Sequence, residues 1–212
     1  MTAITQTLQT RLLAPEAVPF SMAQAEKFLH LRPTSPQRPA MQVLLRQEHA
    51  VCLPLFAPRY QYRICAVEQM RSAAKEIILQ DGIIFHGAAV LRRLRRAESA
   101  ALFLLSAGDA PTAGAASPET AFLRDAIASA MAQGVLEVLQ QELRMAVKES
   151  GCRLTPRLSP GYPGWPLSDQ RRLFAALQPQ AVDVRLTKAC FMRPQKSLSG
   201  LFGLLHDEAS QN

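Results

Sequence analysis

A continuous apolar run, Ala100–Leu105 closed by Ser106, sets the strongest limit on the architecture of this chain. A strand that is apolar at every position has no solvent face, so the run indicates a strand covered on both faces. The segment Arg59–Val67 alternates instead, which predicts a half-buried strand. Its inward face would consist of Tyr60, Tyr62, Ile64 and Ala66. The chain is therefore expected to form a sheet whose central strand is covered on both sides.

Three segments contain helix-start signals. Ser21, with a glutamine three residues later, forms a capping-box pattern. Ser117–Glu119 places a serine cap and a proline at the first helical position, ahead of a long helix that extends to Lys148. Ser168 can cap a further helix that ends at Leu177. The residues predicted to be buried along the long helix are Phe122, Ile127, Met131, Val135, Val138 and Leu139.

The remaining apolar segments predict further strands and one more helix. Ile77–Leu79 and Ile83–Phe85 flank an Asp-Gly turn signal. This pattern is typical of a hairpin, although a strand that runs into a helix fits it as well. A short helix before this pair, a helix over 87–98, and strands over 182–187 and 198–205 complete the predicted elements.

The mixture of helices and strands, without an internal repeat, predicts an α/β (α+β) fold in a single domain. We expect a peripheral N-terminal segment at 1–20, the domain at 21–206 and a C-terminal tail at 207–212. Hydrophobic residues make up 48% of the chain and charged residues 19%. This balance is typical of a globular chain with a sizeable core and excludes a disordered one.

Charge and cysteine usage limit the partners and the compartment. The net charge of +7 favours an anionic partner, but it does not choose between nucleic acid, an acidic protein and a phosphorylated ligand. The cysteines form no C-x-x-C pair and no secretory signal precedes them, so we expect reduced thiols and a cytoplasmic protein. They are Cys52, Cys65, Cys152 and Cys190. No stretch of about 18 apolar residues predicts a membrane span.

Four arginines are concentrated within Arg92–Arg96, on the helix predicted over 87–98. A solvated helix face, a protein-docking surface and a phosphate-binding nucleic-acid site all fit this cluster. Because no aromatic residues are interleaved and no nucleic-acid motif surrounds the cluster, the solvated face is favoured and nucleic acid is the least favoured.

The searches for catalytic motifs give no match. The sequence lacks the spacings of a phosphate loop, a dinucleotide fingerprint, a zinc helix and a nucleophile elbow. The histidines are scattered, without metal-ligand spacing. His86, beside Gly87 after an apolar segment, is the histidine best placed to be structural or site-lining, and a satisfied, non-catalytic role is favoured. We assign no catalytic and no metal-binding residue, and the residue chemistry favours a binding module over an enzyme.

The segment Arg157–Pro166 contains three prolines, two glycines and the only tryptophan of the chain. Proline fixes φ, and glycine adopts backbone conformations that other residues avoid. The segment is therefore expected to be a stiff loop, neither helix nor regular strand. It is either a connector or a backbone that approaches a ligand closely. The apolar strand candidate Lys196–Leu205, near the C-terminus, is expected to accompany this loop.

Three motifs, in this order and spacing, resemble the activation domain of vitamin B12-dependent methionine synthase, and more closely the short, free-standing relatives of that domain. They are Arg157–Tyr162, Trp165–Phe174 and Leu186–Gly203. The resemblance is strong over about residues 153–205 and moderate over about 80–150. It implies a central, mostly antiparallel, bent sheet flanked by helices.

In that family the domain binds S-adenosylmethionine and supports the reductive methylation of cobalamin. The family's R-x-x-x-G-Y segment lines the S-adenosylmethionine site. The positions that match it here, and that the resemblance implies bind this cofactor, are Arg157, Ser159, Pro160, Gly161 and Tyr162. Arg157 is suited to pair with the methionine carboxylate, and Tyr162 offers a ring and a hydroxyl. The Lys196–Gly200 segment is assigned first to a structural role beneath the loop.

The sequence lacks other parts of the large enzyme, namely the D-x-H-x-x-G corrinoid motif and the zinc cysteines. Glu149 is the one candidate for an acidic contact to S-adenosylmethionine. The resemblance thus implies an accessory protein for a separate, corrinoid-carrying methionine synthase that lacks its own activation domain. Any enzymatic role would be as a part of that methyltransferase system, with cobalamin present only through the partner. The basic surface suits a flavodoxin-like electron donor. The alternative is a non-catalytic relative that binds another small ligand or a protein.

Overall fold

The computed structural model describes residues 8–206, so residues 1–7 of the expected N-terminal segment and the tail 207–212 lie outside the described residues. The helices are α1 (Met22–Phe28), α2 (Arg38–Cys52), α3 (Ala88–Leu94), α4 (Pro118–Lys148) and α5 (Gln170–Ala176). The strands are β1 (Gln9–Leu12), β2 (Arg59–Arg71), β3 (Glu76–Leu79), β4 (Ile83–His86), β5 (Ser99–Ser106), β6 (Cys152–Leu154), β7 (Arg185–Leu186), β8 (Met192–Arg193) and β9 (Ser197–His206).

Seven strands form one sheet in the order β4-β3-β2-β5-β9-β6, with β1 paired to β2, while β7 and β8 form a separate ribbon. All of the described strand pairs are antiparallel. The β2–β3 register shifts between Val67 and Gln69, next to the end of the β2–β5 pairing. Such a bulge bends the strand. The prediction of a mostly antiparallel, bent sheet flanked by helices is confirmed.

The central strand β5 is covered on both faces, as its composition predicts. Ala101, Phe103 and Leu105 belong to the core under α1, α2 and α4. Ala100, Leu102 and Leu104 belong to a second core, formed with α3 and α5. Each of these six side chains is fully excluded from solvent. Because alternate side chains of β5 point to opposite faces, the sheet has one hydrophobic core on each face.

The long helix α4 begins where its cap predicts, since the Ser117 hydroxyl accepts a 3.2 Å hydrogen bond from the Thr120 N–H. The predicted buried face is correct except at its start. Phe122 is 56% exposed, whereas Leu123 is buried. Phe122 is the fifth residue of the helix, in its second turn, and belongs to neither core. The prediction that Phe122 is buried was therefore wrong.

Two segments differ from the elements predicted for them. A short helix was expected after Val67, but β2 continues to Arg71 because β3 supplies a partner strand beyond the bulge. The strand expected over 182–187 is reduced to β7. A 3-10 turn occupies Pro179–Val182, and Asp183 follows it with φ of +45°, which extended backbone does not adopt.

The N-terminal part of the chain is more ordered than its weak pattern indicated. Within the segment expected to be peripheral, β1 pairs with the start of β2, and Val18 is buried. Helix α2 fills a region that the sequence left without an assignment. Pro39 lies in its first turn, where the missing N–H costs nothing.

Two helix boundaries also differ from the predictions. Ser168 does not cap α5, because it lies inside a 3-10 turn, Leu167–Asp169, that follows Pro166. Helix α3 ends at Leu94, earlier than the predicted helix over 87–98, because the chain must return to the sheet at β5. The hairpin predicted around the Asp-Gly signal is confirmed, with Leu79 opposite Ile83.

No helix in the described part of the chain has the length and apolar content that a membrane crossing requires. Cys52, Cys65, Cys152 and Cys190 form no disulfide among the described residues.

Candidate functional site

The Arg157–Pro166 loop is a compact series of turns held against the last strand of the sheet. Leu158 and Leu201 of β9 exchange two backbone hydrogen bonds, of 3.0 and 2.9 Å. Within the loop, Gly161 donates to the Trp165 carbonyl at 3.0 Å, and Trp165 donates to the Tyr162 carbonyl at 2.9 Å. The expectation of a stiff loop that is neither helix nor regular strand is confirmed.

Two glycines outside the loop allow it to lie directly on the domain. A Cβ at Gly200 of β9 would overlap the Leu158 carbonyl oxygen, so only glycine permits this contact. Gly87, before α3, has φ of +119°, and a Cβ there would overlap the Gly164 carbonyl oxygen. That carbonyl accepts a 3.0 Å hydrogen bond from Ala89 N–H at the start of α3. The position of the loop thus depends on glycines far from it in sequence.

Asp169, only 2% exposed, anchors the end of the loop. One carboxylate oxygen accepts from the His86 backbone N–H at 2.6 Å and from the Trp165 indole N–H at 3.1 Å. The other lies 3.1 Å from His86 Nδ1 and 3.3 Å from Arg172 Nε. His86 Nε2 lies 3.6 Å from Glu76. His86 therefore joins β4 to the loop, which agrees with the structural role favoured from the sequence.

A cavity of about 610 Å³, here called the loop cavity, lies between this loop and the 190–199 segment. The loop side consists of Arg157, Ser159, Pro160, Tyr162 and Leu167. The opposite side consists of Gln170, Cys190, Phe191, Met192, Arg193, Gln195, Leu198 and Ser199. Of the residues implied by the resemblance, all but Gly161 line this cavity. Gly161 instead shapes the turn, with φ of +90°.

One nitrogen of the Arg157 guanidinium lacks a hydrogen-bond partner among the described residues. Its Nη2 donates a 2.9 Å hydrogen bond to the Tyr162 hydroxyl, and its guanidinium carbon lies 6.0 Å from the centre of the Tyr162 ring. Its Nη1 is buried, yet it has no hydrogen-bond partner among the described residues. An unpaired buried donor costs about 1–3 kcal/mol, and more when it is charged. The structure therefore retains a cation here that lacks an anionic acceptor.

The loop cavity is cationic. Arg193 lines it together with Arg157, and none of the lining residues within the described part of the chain has a carboxylate. Glu149, the acidic contact considered from the sequence, is the exposed C-cap of α4 and does not line the cavity. Within residues 8–206, no group of three or more His, Cys, Asp or Glu side chains could hold a metal ion.

Several residues of the site escaped sequence reasoning. Gln170 and Ser199 are each 3% exposed and line the loop cavity. Phe191, on the same side of the cavity, is 64% exposed. Lys196–Gly200, assigned first to a structural role, both supports the loop and contributes Ser199. The resemblance of Trp165–Phe174 and Leu186–Gly203 to the family motifs was the signal that could have placed these residues.

The fold and the cavity define a class of protein: a mixed α/β domain on one antiparallel sheet, with a preformed small-molecule cavity beside its last strand. Among solved structures, the chain is similar to one described as the crystal structure of the MetH reactivation domain bound to AdoHcy. The two are 16% identical with a TM-score of 0.67, over 93% of this chain and 78% of that chain. The resemblance drawn from three short motifs is thus confirmed at the level of the fold. No protein-family model matches the sequence, and no curated protein matches it.

Proposed function

We propose that this chain is an S-adenosylmethionine-binding accessory protein that supports reductive reactivation of cobalamin in a separate B12-dependent methionine synthase or corrinoid methyltransferase. The observation that carries the proposal is the buried, unpaired Nη1 of Arg157 at a preformed cavity. The fold adds support, because the similar MetH domain was crystallised with AdoHcy, the demethylated form of S-adenosylmethionine.

The loop cavity offers complementary groups for the parts of this ligand. Its volume lies within the range of about 300–1,000 Å³ usual for small-molecule sites. Arg157 would hold the methionine carboxylate through its guanidinium group, with Arg193 nearby as a second cation. The rings of Tyr162 and Phe191 would contact the sulfonium and the adenine, because aromatic faces attract cations and stack on planar rings.

Cobalamin would reach this site only on a partner protein, since the chain lacks the corrinoid motif. In the proposed reaction S-adenosylmethionine supplies a methyl group, and the residues of this chain hold and orient it. A flavodoxin-like electron donor is part of the same proposal. Its motivation is the net charge of +7, which favours an acidic partner.

The second candidate function is binding of a different, anionic small ligand by the same cavity. The observation that favours it is the pair of guanidinium groups without a lining carboxylate to receive the ligand's ammonium. An anionic ligand without an amino group would pair with Arg157 and Arg193 and would need no carboxylate in the cavity lining. Under this reading, S-adenosylmethionine binds more weakly than a dicarboxylate of similar size.

Arg157→Ala is expected to weaken S-adenosylmethionine binding by about 10- to 100-fold, the usual effect of losing a charged hydrogen bond. Isothermal titration calorimetry measures this directly. Decarboxylated S-adenosylmethionine should bind wild type correspondingly weakly and should not distinguish wild type from Arg157→Ala. Arg144→Ala, an exposed arginine on α4, is the matched control and should bind like wild type.

Three results would contradict this assignment. They are no binding to wild type, equal binding by Arg157→Ala, and an undiminished effect of Arg157→Ala on the decarboxylated ligand. Tighter binding of a dicarboxylate than of S-adenosylmethionine would favour the second candidate function.

The partner role predicts that the chain restores turnover to a methionine synthase that lacks its own activation domain and whose cobalamin has been oxidised. Methionine formation would be followed with S-adenosylmethionine and a reducing system present. Wild type and Arg144→Ala should restore it, and Arg157→Ala should not. If a chain that binds S-adenosylmethionine restores no activity, the partner role is wrong while the ligand assignment stands.

A further inference from the structure

A second cavity, of about 470 Å³, lies beyond Tyr162, which lines both cavities. We call it the arginine cavity, because Arg92, Arg93 and Arg153 line it. Its other lining residues are Ala89, Thr155, Pro156, Leu158, Pro163 and Leu205. Among residues 8–206, none of the side chains that line this cavity is acidic. Part of the Arg92–Arg96 cluster, for which the sequence favoured a solvated face, therefore borders a concave site.

The walls of the arginine cavity are fixed by close packing at one position of β9. A Cβ at Gly203 would lie 3.0 Å from the Leu94 side chain of α3 and 3.0 Å from that of Thr155. Thr155 is hydrogen bonded to Gly203 twice, through its backbone N–H and its hydroxyl, at 2.8 Å each. The last turn of α3 and the segment after β6 are thereby brought together. Arginines from two distant parts of the chain consequently line one cavity.

The composition of the cavity matches a specific ligand chemistry. Guanidinium groups bind phosphate oxygens through paired, charge-assisted hydrogen bonds. The proline and leucine residues add an apolar surface suited to a planar or apolar body. The volume of this open cavity lies within the range of about 300–1,000 Å³ usual for small-molecule sites, which favours a small molecule over the flat surface of an acidic protein.

We propose that the arginine cavity binds a phosphorylated small molecule of the nucleotide class, at a site distinct from the loop cavity. Arg93 is half-buried, while Arg92 is exposed at the rim. Arg93 is therefore expected to provide the best-oriented contacts to the phosphate. This assignment does not depend on the ligand of the loop cavity.

Calorimetry on the full chain with pyrophosphate, AMP and ADP as separate probes tests the proposal. Wild type should bind ADP and pyrophosphate, and Arg93→Ala should weaken both by about tenfold or more, as expected for loss of a charge-assisted contact. Arg93→Lys keeps the charge without the planar fork, so it should restore only part of the affinity. Arg144→Ala removes one positive charge elsewhere and should have no effect. Arg92→Ala provides a second reading if Arg93→Ala fails to fold.

Four results would overturn the proposal. In the first, no probe binds. In the second, Arg93→Lys binds like wild type, which would mean that the probes respond to positive charge and not to a guanidinium contact. In the third, Arg144→Ala weakens binding as much as Arg93→Ala. In the fourth, a hexaglutamate peptide or a single-stranded oligonucleotide binds more tightly than ADP, which would identify a macromolecular docking surface.

Discussion

Asp169→Ala is expected to lower the free energy of unfolding by about 2–6 kcal/mol, because it leaves two hydrogen-bond donors without an acceptor at about 1–3 kcal/mol each. The carboxylate is 2% exposed and accepts hydrogen bonds from the His86 backbone and the Trp165 indole. Alanine would leave both buried donors unpaired and Arg172 without its nearby carboxylate. Chemical denaturation measures the loss. Trp165, the only tryptophan, reports the same event locally by fluorescence.

Two further variants separate the network from a general charge effect. Asp169→Asn keeps one acceptor oxygen for His86 and Trp165, so it should cost less than alanine. Asp125→Ala breaks an ion pair with Lys196 at 2.8 Å, in which the carboxylate is 47% exposed and the lysine 13% exposed. Lys196 keeps its 2.9 Å hydrogen bond to the Ser129 hydroxyl, so this variant should cost less than Asp169→Ala. A loss below about 1 kcal/mol for Asp169→Ala would mean that the network is not what holds the loop.

Asp169 also links stability to the proposed function. It joins the end of the loop to β4 through a contact that spans 83 positions of sequence. Since Arg157 and Tyr162 lie in the same loop, Asp169→Ala should weaken ligand binding at the loop cavity without removing any lining residue. Arg144→Ala, the exposed control on α4, should leave that binding unchanged.

The architecture was largely predictable because its signals are local. The apolar run of β5, the Ser117 cap of α4 and the Asp-Gly hairpin each depend on a few consecutive residues. Sequence reasoning failed where a distant partner decides the outcome. The β3 pairing extends β2 past the position where a helix was expected, and the limits of the core leave Phe122 exposed.

The candidate site was half predictable for the same reason. The residues that form the loop side, including Arg157 and Tyr162, belong to one short motif and could be assigned from the sequence. The opposite side depends on the pairing of β9 with β5, which brings Ser199 next to the loop. Nothing in the sequence around Asp169 shows that it meets His86, because that contact exists only after the sheet has formed.

Gly87→Ala is expected to destabilise the fold by about 3 kcal/mol or more, because two separate costs add. At φ of +119° an alanine backbone is strained by about 1–3 kcal/mol. Its Cβ would also overlap the Gly164 carbonyl oxygen, and such overpacking costs about 1–3 kcal/mol. The backbone of Gly164 cannot move aside without losing its hydrogen bond to Ala89. Thermal and chemical unfolding would both show the loss.

Gly82→Ala measures the cost of an ordinary left-handed alanine without overlap, because Gly82 has φ of +69° and a Cβ there meets nothing within 4 Å. It should cost about 1 kcal/mol. The excess in Gly87→Ala then combines the additional backbone strain at φ of +119° with the overlap against the Gly164 carbonyl. That same excess should appear as weaker ligand binding at the loop cavity, since the loop must shift to admit the methyl group. If Gly87→Ala and Gly82→Ala lower the free energy of unfolding equally, the loop moves away from the added methyl group without an energetic cost. The contact between Gly164 and Gly87 would then not be what preforms the loop cavity.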